Sequence, residues 1–152
     1  MAITTTSTTI STERCETLLR EFVSIRSVVG EDTTAHRWIT DRLRELGMTV
    51  EHYSVEGRRT PLVLGVLEGD GDEAGMMFDG HYDTVGASPS DWTSDPWTAR
   101  VQSGILYGRG AVDSKGSAVA MISAIEALVA TGEPRRGPIY FMSDCDGEDS
   151  FR

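Results

Sequence analysis

Pro61-Leu62-Val63-Leu64-Gly65-Val66-Leu67-Glu68 is the stretch on which the fold turns. In an extended chain successive side chains point to opposite faces, and here both parities are aliphatic. Such a run suits a central strand whose sheet is covered on both faces. Upstream the period changes. Cys15, Leu18, Leu19, Phe22 and Val23 recur at helical spacing and predict a helix over 12–26, capped by Ser11 or Thr12. Ala35, Trp38, Ile39, Leu43 and Leu46 predict a second helix over 33–46, stopped by Gly47. A strand is expected over 49–55, before the quoted one, and a short one over 76–79, after an acidic, Gly-rich turn. A loop over 86–98 carries Pro89, Trp92, Pro96 and Trp97, and 100–107 reads as a hairpin turning at Ser103-Gly104. An Ala-rich third helix over 114–131 buries Val119, Ile122, Ile125 and Val129 and ends at Gly132. The last strand covers 138–143. This alternation predicts an α/β fold: a mixed, mostly parallel sheet with helices on both faces.

The 152 residues, 39% hydrophobic and 25% charged, suit one domain with its own core. A formal net charge of -10 repels phosphate backbones, which argues against nucleic acid as a partner. Surplus carboxylates favour cations, but they also simply keep a chain soluble. Cys15 and Cys145 are too few for a disulfide framework, so a reducing compartment, the cytoplasm, is expected. Residues 1–11 are Thr-rich, with neither basic residues nor an apolar run, and read as a disordered tail rather than a secretory signal. The most apolar segment, 118–130, is broken by Glu126 and too short for a bilayer, so no membrane association is expected.

Three polar clusters fall at predicted strand ends. The first is Asp79-Gly80-His81-Tyr82-Asp83-Thr84. Open α/β sheets place ligand sites at strand ends, and an imidazole with a carboxylate two residues on can bind a transition metal with its ring held. An isolated His-x-Asp is more often an ordinary surface loop, so this cluster alone decides nothing. The second is Gly108-Arg109-Gly110-Ala111-Val112-Asp113-Ser114-Lys115-Gly116. Its Asp could merely cap the following helix. A phosphate loop is excluded, because Ser precedes Lys115 and Gly follows it, the wrong order. The third, Asp144-Cys145-Asp146-Gly147-Glu148-Asp149, crowds four carboxylates that repel unless solvent or a cation separates them. Their conjunction at one rim of one sheet is what favours a metal site over three solvated loops. An imidazole with carboxylates suits zinc, manganese or cobalt. His36 and His52 sit on an ordinary helix and strand and receive no role.

Read together, Phe22-Val23-Ser24-Ile25 with Ser27, Leu43-Arg44-Glu45-Leu46-Gly47, Gly80-His81-Tyr82-Asp83-Thr84-Val85, Asp95-Pro96-Trp97 and the run from Gly104 to Gly116 make a pattern. It resembles the N-terminal half of the catalytic domain of the co-catalytic zinc metallopeptidases, the family of acetylornithine deacetylase, succinyl-diaminopimelate desuccinylase, aminoacylases, dipeptidases and glutamate carboxypeptidase. The resemblance covers nearly the whole chain after the Thr-rich tail. It implies hydrolysis of amide bonds in small peptides or N-acyl amino acids, using two divalent metal ions, zinc first and cobalt or manganese as alternatives. By it His81 binds one metal, Asp83 orients His81, and Asp113 bridges both ions.

The family then uses two adjacent glutamates, the first as general base and the second as ligand. Ungapped alignment sets Gly147 at the base position and Glu148 at the ligand position, while a shifted register would set Cys145 and Asp146 there. Glycine cannot accept a proton, so Asp146 or Asp149 substitutes or catalysis is impaired. Residues 12–152 are thus expected to be the N-terminal part of a catalytic domain. The lid domain, which commonly dimerises in such proteins, and the C-terminal half with its later acidic and His ligands would lie outside this chain. An isolated fragment of this kind is expected to bind metal weakly and turn over little. The competing reading is a catalytically impaired pseudoenzyme or a metal-binding regulatory module. Tyr82, Arg109 and Lys115 beside the ligands admit either substrate contact or packing.

Overall fold

The structure, a computed structural model, describes residues 9–31 and 33–149. Most of the expected tail, residues 1–8, lies outside the described residues, as do Ser150, Phe151 and Arg152. Helix α1 (Thr12–Ser24) starts where the Ser11 hydroxyl accepts the Arg14 amide at 3.2 Å, and it buries Leu18, Phe22 and Val23. Helix α2 (Ala35–Glu45) buries Ala35, Ile39, Thr40 and Leu43. It stops at Gly47, whose φ of +82° is the left-handed conformation glycine adopts without a Cβ clash. Strands β1 (Thr49–Tyr53), β2 (Leu62–Leu67) and β3 (Met76–His81) follow. Then come the hairpin of β4 (Arg100–Gln102) and β5 (Ile105–Tyr107), helix α3 (Lys115–Ala130) and strand β6 (Ile139–Asp144). Ser103 and Gly104 turn the hairpin with φ of 52° and 78°, the positive values a tight two-residue turn requires.

The main sheet has the order β1-β2-β6-β3. The quoted stretch is a central strand, flanked by β1 and β6, both antiparallel to it. Only β3 and β6 run parallel. The α/β class and the mixed sheet hold, but the expected preponderance of parallel pairs does not. The β1–β2 connection is too short for a crossover, so those strands must turn back on each other. Between β3 and β6 the chain passes through α3, and such a crossover returns the strand in parallel. The parallel register pairs His81 with Asp144, which sets the C-terminal ends of both strands side by side.

Helices on both faces were expected, and here the described residues differ. A Cβ on Gly65 would meet Leu43 of α2 and Met48 in the turn after it, and one on Gly80 would meet Met121 of α3. Gly65 pairs with Phe141 and Gly80 with Ser143, two residues of one parity, so α2 and α3 cover the same face. Val63, Leu67, Ile139 and Phe141 of that face are buried, together with Leu18 and Phe22 of α1 and Ile122 and Ile125 of α3. Leu62, Leu64, Val66, Tyr140 and Met142 point the other way and are only half-buried. Among the described residues no helix is long and apolar enough to cross a membrane.

Candidate metal centre

His81 closes β3, Asp113 precedes α3, and Glu148 lies on the turn after β6. Four hydrogen bonds bring these segments, and the one after α1, to one rim. The Ser114 hydroxyl donates to the His81 carbonyl at 2.5 Å, tying the start of α3 to the end of β3. The Tyr82 amide donates to the Asp144 carbonyl at 3.0 Å, extending the β3–β6 pairing past His81. The Ser27 hydroxyl donates to the Tyr82 carbonyl at 2.7 Å while the Ser27 carbonyl accepts the Thr84 amide at 2.8 Å, stitching the segment after α1 alongside.

One donor atom from each of His81, Asp113 and Glu148 lies within 4.8 Å of the others. His81 Nε2 is 3.1 Å from Asp113 Oδ1. Ligands about 2.0–2.2 Å from a tetrahedral zinc stand roughly 3.3–3.5 Å from one another, so three donors this close could relax onto one ion. An imidazole with two carboxylates is also a donor set that zinc, cobalt or manganese accepts. The chemistry fits.

Asp83 organises the centre without facing solvent, being 2% exposed. Its Oδ1 lies 3.1 Å from His81 Nδ1, leaving Nε2 directed at Asp113. The same carboxylate accepts the amides of Gly147 and Glu148, each at 3.0 Å, so one buried side chain holds both the His81 ring and the loop of Glu148. Burial pushes the Asp83 carboxyl up, but the bond from His81 and the two amides outweigh it and leave its pKa lowered. The hydrogen bond to Asp83, against partial burial and with the charges of Asp83 and Asp113, raises the His81 imidazole to about 9. A proton on that ring competes with a metal. Burial, with the charges of Asp83 and Asp79 adding to it, also raises the Asp144 carboxyl.

Asp146, expected as a substitute base, sends its carboxylate to an ion pair with Arg58. Asp149 is 3.3 Å from the same guanidinium. Gly147 lies against the imidazole: a Cβ there would stand 2.1 Å from His81 Cγ. Tyr82 and Lys115 are both fully buried, which leaves packing as their role. The Tyr82 hydroxyl donates to the Pro61 carbonyl at 2.7 Å. Lys115 Nζ donates to the carbonyls of Phe22 and Ile25 at 3.1 and 2.5 Å, and burial lowers its pKa to about 8. Arg109 lies over the Trp92 ring, 5.2 Å from its centroid. Neither the Arg58 clamp nor the Lys115 tie left a sign in the sequence, because each joins segments far apart in the chain.

A family profile described as peptidase family M20/M25/M40 matches residues 77–151, the segment that carries all three candidate ligands. Over that segment the chain resembles this family. Residues are also shared beyond the matched segment: succinyl-diaminopimelate desuccinylase of Leptothrix cholodnii is 34% identical over 134 residues, covering 86% of this chain and 35% of that protein. Human carnosine dipeptidase 1 superposes with a TM-score of 0.79 at 28% identity, over 91% of this chain and 33% of the other. A di-peptidase of Saccharomyces cerevisiae gives 0.80 at 19% identity, over 90% and 33%, which shows the shared fold alone. The chain spans about a third of the length of the relatives it matches.

Proposed function

We propose that this chain contributes one wall of a metal-dependent amide-bond hydrolase for small peptide-like or N-acyl amino acid substrates. The convergence of His81, Asp113 and Glu148 at one sheet rim is the observation that carries this reading. Zinc is the favoured ion, with cobalt or manganese as alternatives. His81 and Glu148 would hold a first ion, and Asp113, whose side chain is 73% exposed, would extend to a second. The bound metal would polarise the scissile carbonyl and lower the pKa of a bound water. Asp83 keeps the imidazole turned toward the ion and holds the Glu148 loop. Residues 12–152 then form the N-terminal part of a catalytic domain, with the remaining ligands supplied by further segments. A reducing, cytoplasmic setting belongs to this reading, supported by the free thiols of Cys15 and Cys145. Relatives that are a desuccinylase and a dipeptidase support the substrate class.

A second reading, a metal-binding module with impaired catalysis, is favoured by a specific feature. The position expected for the base is Gly147, and Asp146 is engaged by Arg58. A missing base typically costs ~10²–10⁴-fold in rate. Calorimetric titration with zinc should give binding that His81→Ala abolishes, and affinity indifferent to that change would remove both readings. Release of amine from N-acyl amino acids and dipeptides by the zinc-loaded chain should not exceed that of zinc alone. Measurable turnover by the chain would exclude the second reading.

A further inference from the structure

Arg58, in the connection between β1 and β2, reaches across to the acidic turn after β6. Its guanidinium pairs with Asp146 and lies 3.3 Å from Asp149 Oδ2. The Asp149 amide returns to the Asp146 carbonyl at 3.2 Å, closing a turn. Its two aspartates face Arg58, while Glu148 faces His81 and Asp113. The turn is therefore held from two sides. Asp83 grips its main chain at Gly147 and Glu148, and Arg58 grips its side chains on either side of them. The three clamp side chains are only 25–29% exposed, so this contact is better shielded than a typical surface pair.

We infer that Arg58 is a positioning residue for the metal centre, fixing the turn that aims Glu148 at the ion. The inference rests on the metal-centre reading above. It also makes a prediction of opposite sign to plain electrostatics. A guanidinium near a cation site repels the cation, so removing it should tighten metal binding if charge alone mattered. If Arg58 positions Glu148, removing it weakens binding instead. Outer-shell partners of metal ligands commonly change affinity by about 10–100-fold.

The test is calorimetric titration with Zn²⁺ of the unmodified chain, Arg58→Ala, Arg58→Lys and His81→Ala, with visible absorption of the Co²⁺-loaded forms. Arg58→Ala should weaken zinc by about tenfold and alter the Co²⁺ ligand-field bands, because Glu148 no longer holds its place. Arg58→Lys, which keeps a cation within reach of one aspartate, should recover part of both. Should Arg58→Ala fail to fold, Arg58→Gln carries the same test, since it keeps most of the side chain without the charge. Equal or tighter zinc binding with unchanged Co²⁺ bands in the Ala or Gln variant, while His81→Ala still abolishes binding, overturns the clamp and leaves the metal centre standing. Zinc binding untouched by His81→Ala overturns both.

Discussion

At residue 147 the site leaves no room for a side chain. An added Cβ would stand 2.1 Å from His81 Cγ and 2.4 Å from its Cδ2, so the ring or the turn would have to move. Gly147→Ala should therefore loosen the centre, weakening zinc severalfold and lowering stability by about 1–3 kcal/mol, as overpacking does. Gly147→Glu should do the same rather than install a working base; a gain in hydrolysis from that variant would contradict the packing argument. His81 offers a second reading at this scale. Asp83 holds its imidazole at about 9, above the ordinary 6.5. A histidine whose pKa is raised by folding contributes its full stabilisation below about 6.5 and loses it as pH climbs through about 9. In chelator-treated protein, thermal stability should carry a component that declines across that window. Asp83→Asn should flatten it and bring the His81 NMR titration back toward the ordinary value, and an unshifted titration in that variant would assign the shift elsewhere. That the loops of His81, Asp113 and Glu148 meet at one rim was legible from the strand ends that precede them, while their role as ligands rests on the family resemblance. Arg58 was not, since an arginine in a polar turn looks the same whether or not an acidic loop folds over it.

Between elements, the seat of α2 on the sheet is set by an absent side chain in β2. Gly65 interrupts an otherwise aliphatic run, and a Cβ there would lie 2.9 Å from Leu43 Cδ1 and 3.4 Å from Met48. Valine favours strands, so propensity alone predicts that Gly65→Val stabilises β2. Packing predicts a loss of about 1–3 kcal/mol, because α2 would be lifted from the sheet. Packing should win, read as a lower urea midpoint with an unchanged slope; a raised midpoint would mean that α2 gives way cheaply. Periodicity and stop signals foretold each α-helix and strand to within a few residues, as with α2 ending before Gly47 and the hairpin turning at Ser103 and Gly104. Strand direction was hidden. The apolar run of β2 reads the same whether its neighbours are parallel or antiparallel, and only the spatial insertion of β6 between β2 and β3 decides it.

On the scale of the whole chain, the sheet has a dry face and a half-covered one. Val63 is fully buried under the helices, while Val66, three residues on in the same strand, sits on the opposite side and is only half-buried. Hydrophobicity could not foretell this difference, because both positions are valine within one aliphatic run. The same substitution at the two sites isolates the effect of cover from that of chemistry. Val63→Thr places a hydroxyl in the core, where an unpartnered polar group costs about 1–3 kcal/mol. Val66→Thr leaves its hydroxyl within reach of water and should change stability by about 0.5 kcal/mol or less. Urea denaturation of the two variants, with equal slopes, gives the comparison directly. Equal costs would mean that both faces are sealed and that the one-sided packing of α2 and α3 is not how this chain holds its sheet.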